Sequence, residues 1–223
     1  MQPKSELTRQ KILNAAIELF RRRGFAEATM REIAVEAGVA AGLSYYYFPS
    51  KEELVMAFYQ KAKDELEPAL QSVHEARGAI EDRLRGILNA KFAYFLPNRR
   101  FLGALLGHSA DPHNPMSPFS EATRAIREHD FTQFERAIEE TGTTAPKDLA
   151  PYMARILWMF HMGILMFWIY DRSDNQQRTQ LLLDKSLRIV SILIRAAKLP
   201  FMRPARKMVV DVVRILSGEE VAA

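Results

Sequence analysis

The sequence predicts an all-α protein: an N-terminal three-helix domain built around a helix-turn-helix, followed by a larger α-helical domain. Three observations carry that prediction. Two helix-capping signals frame the stretch from Thr29 to Lys51, TMREIAVEAGVAAGLSYYYFPSK. Apolar residues recur at helical spacing along most of the chain, without a convincing strand, internal repeat or low-complexity segment. Glycine and proline clusters punctuate the pattern at intervals suited to separate helices.

Taken in order, Ile12, Ala15, Ala16, Leu19 and Phe20 form one face of a first helix, with Thr8 as its expected cap and Gly24 as its end. Arg21, Arg22 and Arg23 fall in its last turn, where cations meet the negative end of the helix dipole. Thr29 and Glu32 have the spacing of a capping box. Met30, Ile33, Ala34 and Ala37 follow on one face, and Gly38 supplies a left-handed residue to close the helix. A short third helix runs from about Ala40 to Tyr47 and stops before Pro49, because proline disfavours α geometry in the residue it follows. Ser50 and Glu53 repeat the capping box, and Leu54, Ala57, Phe58 and Ala62 give a longer fourth helix its apolar face.

Beyond this head, Glu67-Pro68 predicts an interruption or kink in the fourth helix. Further helices are expected at about Ala79–Leu96, Arg100–Ala110, Phe119–Glu140, Pro146–Tyr170 and Gln177–Leu199, with an amphipathic last helix containing Val209, Val212, Val213 and Leu216. The longest apolar run, Ile156 to Tyr170, is shorter than the ~20 residues a membrane-spanning helix requires and holds His161 in its middle, so it reads as a buried helix. Both its Ile156, Phe160, Gly163, Phe167 line and its Ala154, Trp158, Leu165, Trp168 side are apolar. One side can face the core and the other a partner.

The residues Thr29, Ile33, Ala34, Ala37, Gly38, Val39, Gly42, Tyr45, Phe48, Ser50, Lys51, Glu52, Glu53 and Leu54 closely resemble the helix-turn-helix of the TetR family of bacterial transcriptional regulators. The match is specific over roughly the first 65 residues. The resemblance implies a DNA-binding domain over residues 6–66 and a helical effector-binding and dimerisation domain over residues 67–223. It implies that the third helix is the recognition helix in the major groove, with Thr29, Arg31, Tyr45 and Lys51 as phosphate contacts and Ala41, Gly42, Leu43 and Tyr46 against the bases. Tyr47 and Phe48 are assigned to the core. Two departures stand out. Ala40 and Ala41 front the recognition helix where members often carry polar residues, which shifts specificity towards DNA shape and water. Ser44 replaces a usual leucine or isoleucine, either weakening the packing or bonding back to the preceding turn.

For the second domain the resemblance implies a four-helix dimer interface from Pro146–Tyr170 and Gln177–Leu199, and an effector that shifts the spacing of the two heads. Phe92, Phe95, Phe101, Leu105, His108, Phe131, Phe134, Trp158, His161 and Leu165 are the candidate effector contacts, suited to an apolar or aromatic molecule with one or two polar groups. The expected partners are a double-stranded DNA operator, a small-molecule effector and a second copy of the chain.

Composition narrows the alternatives. The chain has 31 basic and 27 acidic residues, a net charge of +4, 48% hydrophobic residues and no cysteine, which excludes disorder, disulfides and thiolate metal sites. His108, Asp111 and His113 are the nearest approach to a metal set, but their spacing is no i, i+4 clamp, and no metal or cofactor is expected. There is no glycine-rich phosphate loop, nucleophile elbow or paired His-Glu metal signature, so an enzyme is not expected. The chain starts without an apolar signal segment and is expected in the cytoplasm, away from membranes. An all-helical dimeric adaptor without DNA activity is the alternative reading.

Overall fold

A computed structural model describes residues 4–108 and 114–216. Among them are ten α-helices and no strand: α1 (Lys4–Arg23), α2 (Met30–Glu36), α3 (Ala41–Tyr47), α4 (Lys51–Glu75), α5 (Ile80–Phe95), α6 (Arg99–His108), α7 (Arg124–Glu140), α8 (Met153–Tyr170), α9 (Gln177–Ala196) and α10 (Arg203–Leu216). The chain forms two compact units, Met1–Glu67 with Ala93–Arg127, and Pro68–Phe92 with Glu128–Ala223.

The core of the first unit gathers Ile12, Ala16 and Phe20 of α1, Ile33 of α2, Phe48, and Leu54, Val55 and Phe58 of α4, all at most 2% exposed. Phe101 of α6 joins it, stacking on Phe20 at 5.1 Å and meeting Phe58 edge-on at 5.5 Å. These ring contacts explain why α6 belongs to the same unit as the head. Local chemistry sets the helix ends as expected. Thr29 Oγ1 accepts from Glu32 N–H at 3.2 Å, and Glu32 Oε2 accepts from Thr29 N–H at 2.9 Å. Gly38, at φ +60°, closes α2: its N–H bonds to Val35 O at 2.9 Å, and Val39 N–H reaches Ala34 O at 3.0 Å. The second box is half made, with Ser50 Oγ accepting from Glu53 N–H at 3.3 Å.

Four sequence-based boundaries are corrected. Thr8 lies inside α1, its hydroxyl donating to Lys4 O at 2.9 Å, so it is not the cap. Pro68 does not interrupt α4, which runs through to Glu75. The helix expected from Phe119 begins at Arg124, because the hydroxyls before it tie the chain into successive turns: Thr123 Oγ1 donates to Ser117 O at 2.7 Å and Ser120 Oγ to Pro115 O at 2.9 Å. Pro146 to Leu149 form a turn, closed by Leu149 N–H on Pro146 O at 2.9 Å, and α8 itself starts at Met153.

The second unit is built on α5, α7, α8 and α9. Buried residues of α8 lie on one side, Met153, Ala154, Leu157, Trp158, His161, Ile164 and Trp168. A helical stretch from Ala150 to Tyr170 has 21 residues and a mean hydropathy of 1.4, long and apolar enough to cross a bilayer. The run judged too short from Ile156 alone is lengthened by the helical residues before it. Where α8 meets α9, Asp171 organises the turn: Oδ1 accepts from Ser173 N–H and Oγ, and Oδ2 from Thr179 N–H and Oγ1, at 2.7–2.9 Å. Desolvation pushes this carboxyl up, but the bonds from Ser173 and Thr179 together outweigh it and hold it well below the usual carboxylate range. That anchor holds Asn175 and Gln176 in left-handed backbone at φ 49° and 54°.

Candidate nucleic-acid interface and interior ligand site

α3 has a buried side and an open one. Ser44 is fully buried and Phe48, just past the helix, is 2% exposed, whereas Ala41, Gly42, Leu43, Tyr45 and Tyr46 are all exposed. Leu43 therefore turns outward and Ser44 inward. Ser44 Oγ has no hydrogen-bond partner, so the back-bond considered from the sequence is not formed. Tyr47 is half-buried, its hydroxyl 3.0 Å from Ser5 Oγ.

The four expected phosphate contacts differ in what they have to offer. Arg31 is exposed and carries no ion pair among the described residues, and Tyr45 is 47% exposed. Thr29 already gives its hydroxyl proton to Glu32 Oε2 at 2.8 Å. Lys51 is turned inward: its ammonium donates to Phe25 O at 2.7 Å and Ala26 O at 3.2 Å and sits 4.6 Å from the Phe25 ring centroid. Sequence spacing could not reveal this, because the carbonyls that hold Lys51 lie about 25 positions upstream. The arginines ending α1 are also engaged, Arg22 with Glu36 at 2.8 Å and Arg23 with Glu32, clamping α1 to α2.

The candidate effector residues separate between the two units. Phe95, Phe101, Leu105 and His108 fall in the first, where Phe95 and Phe101 pack against Phe58. The His108 side chain, Asp111 and His113 lie outside the described residues. Phe92, Phe131, Phe134, Trp158, His161 and Leu165 fall in the second. There Phe92 stacks on Trp168 at 5.1 Å, Phe131 meets Trp158 edge-on at 5.7 Å, and Phe134 lies 5.7 Å from the His161 ring. Leu165 is half-buried.

Beside them is an ion pair that the sequence reading missed, Lys91 Nζ to Asp130 Oδ1 at 2.6 Å, with side chains 6% and 15% exposed. Its signal was present: Lys91 falls in line with Leu84, Ile87 and Leu88 on the apolar face of α5. Desolvation raises the Asp130 carboxyl, but the charge and hydrogen bond of Lys91, together with the pulls of His161 and His129, outweigh it and hold the carboxyl below its ordinary value. His161 is 1% exposed and neither ring nitrogen has a hydrogen-bond partner. Burial above all, then the Lys91 charge, lowers its pKa to about 3, against the opposing pull of Asp130 and the Trp158 carbonyl. The imidazole is therefore neutral at physiological pH.

Residues 12–58 match the family described as "Bacterial regulatory proteins, tetR family", and residues 83–216 match "Tetracyclin repressor-like, C-terminal domain". The chain belongs to the TetR family of transcriptional regulators, DNA-binding proteins that are not enzymes and typically act as repressors with a ligand-binding C-terminal domain. It is 23% identical over 171 residues to the regulator AcrR of Shigella flexneri, covering 73% of this chain and 79% of that protein. It is 29% identical over 108 residues to the uncharacterised regulator YerO of Bacillus subtilis, covering 48% of this chain but only 37% of that protein. A TetR-family regulator from Streptomyces coelicolor has the same fold, with a TM-score of 0.63 at 22% identity over 98% of this chain and all of that one.

Proposed function

We propose that this protein is a cytoplasmic, homodimeric repressor that binds a palindromic operator through residues 6–66 and is released by a small, largely apolar effector held within residues 67–223. The observation that carries this reading is the open side of α3. A seven-residue helix that buries Ser44 and leaves Ala41, Gly42, Leu43, Tyr45 and Tyr46 exposed has the form of a reader entering a major groove. Leu43 and Ala41 would meet thymine methyls, with Gly42 and Tyr46 beside them. Arg31 and Tyr45 would anchor phosphates, and Thr29 and Lys51 would contribute only through what their internal bonds leave available.

A two-fold partner is favoured by the outer faces of α8 and α9. Met166, Phe167 and Tyr170 are 41–61% exposed on α8, and Ile189, Ile192 and Leu193 are 55–56% exposed on α9. Gly163 lies on the same face of α8 with nothing within 4 Å of the place a Cβ would occupy, leaving room for a second helix. A symmetric dimer sets two heads about 34–36 Å apart, one helical turn of DNA. An effector favouring another spacing then opposes DNA binding, and DNA opposes the effector by the same coupling.

The test is selection of an operator from random duplexes, followed by a salt series on that site. Affinity should fall steeply with salt, and Arg31→Ala should flatten the log–log slope by roughly 1. Arg31 is preferred to Lys51 for this test because Lys51→Ala would also release the α1–α2 loop. Salt-insensitive binding, or no selected sequence, would leave the adaptor reading in its place.

A further inference from the structure

The two described buried histidines are treated differently by the fold. His74 is satisfied at both nitrogens, Nδ1 at 2.8 Å from Glu140 Oε2 and Nε2 at 2.9 Å from Gln133 Oε1. His161 is equally sealed from water, and neither ring nitrogen makes a hydrogen bond of normal geometry, the Trp158 carbonyl one turn back on α8 being the one backbone group that pulls on the ring. A neutral imidazole carries one N–H donor and one lone-pair acceptor, and buried groups of this kind are almost always matched. Its neighbours are aromatic or already neutralised: the Phe134 ring lies 5.7 Å away, Trp158 one turn back on α8 is itself met edge-on by Phe131, and the charges that act on it, Lys91 and Asp130, are closed on each other at 2.6 Å.

That arrangement selects against charge. A carboxylate ligand would compete with Asp130 for Lys91, and an ammonium would compete with Lys91 for Asp130, each breaking a buried pair to make its own. A hydroxyl suits the site without that exchange, because it can accept from the imidazole N–H or donate to the bare nitrogen. We propose that His161 is the polar anchor of the interior ligand site, and that the ligand is an uncharged aromatic molecule bearing a hydroxyl group. Its ring lies among Phe131, Phe134 and Trp158, and its hydroxyl bonds to an imidazole nitrogen. The assignment rests on the reading that the second unit binds the effector.

The experiment compares 2-naphthol, naphthalene and 2-naphthoate, which share a ring system and differ in hydroxyl and charge, by calorimetric titration of the full-length protein. 2-Naphthol should bind at least tenfold more tightly than either of the others. In His161→Leu the preference over naphthalene should shrink to within about twofold while naphthalene itself still binds. The His161 ring nitrogen resonances of the ¹⁵N-labelled wild type should move on adding 2-naphthol and stay put with naphthalene, a readout that does not depend on a variant folding. Failure of 2-naphthol to bind, equal binding of 2-naphthol and naphthalene, or an intact preference in His161→Leu would overturn the assignment. Operator affinity measured alongside separates the two readings. A wild type that prefers 2-naphthol but keeps its operator affinity when saturated supports the anchor and sinks the effector coupling.

Discussion

The α2–α3 turn and the interior between α5, α7 and α8 make a useful contrast. In the turn, neighbours in sequence close most of the polar ends: Thr29 and Glu32 satisfy each other, and Gly38 and Val39 return their N–H groups to Val35 and Ala34. In the interior, Lys91 depends on Asp130, 39 positions away, and neither His161 nitrogen makes a hydrogen bond of normal geometry. The first region is built to hold one shape. The second keeps polar capacity in reserve, at a cost a well-packed core would avoid.

The largest expected effect lies in the interior. Asp130→Ala leaves a buried ammonium unpaired and should cost about 3–5 kcal/mol in urea unfolding, whereas Lys91→Met combined with Asp130→Leu should recover most of that loss. If the single and double variants were equally unstable, packing volume rather than charge would be the explanation. Next comes pH. The His161 pKa is depressed from 6.5 to about 3, so the unfolded chain binds the proton first as pH falls. Its contribution to stability is complete above about pH 6.5 and is lost as pH drops towards 3, with a slope of at most about 1.4 kcal/mol per pH unit. His161→Leu should flatten the profile across that window.

Effects in the turn should be smaller. Thr29→Ala removes the two bonds that the hydroxyl makes to Glu32, one of them half of the capping box, and should cost about 1 kcal/mol, seen as a lower denaturation midpoint with an unchanged m-value. Smallest, and opposite in sign, is Ser44→Ala. Removing a buried, unpartnered hydroxyl should stabilise the head by a few tenths to about 1 kcal/mol. A loss of stability there would show that the hydroxyl is bonded in solution.

Much of the head was readable because its rules operate within four residues. A capping box, a left-handed glycine and a proline stop depend on stereochemistry that the neighbours themselves supply. The same local view misplaced the start of α7, since apolar spacing from Phe119 onward could not show that Ser120 and Thr123 would spend their hydroxyls on turns. It also grouped ten effector candidates that the fold divides between two units, because an aromatic residue at helical spacing does not say which helix it will meet.

From its sequence alone, this chain's helical class and its α2–α3 turn were determined, since helical periodicity and caps are local properties of a covalent chain; the family resemblance implied which α3 residues face DNA, and the orientation of Leu43 and Ser44 stayed open. Only the tertiary structure decided that Lys51 turns inward to Phe25 and Ala26, that Ser44 is buried without a partner, and that Lys91, Asp130 and His161 share one interior. Those outcomes depend on which groups from distant positions are brought within a few ångströms and on how much water is left between them. Burial and pairing are properties of the packed chain, and no spacing rule along the sequence contains them.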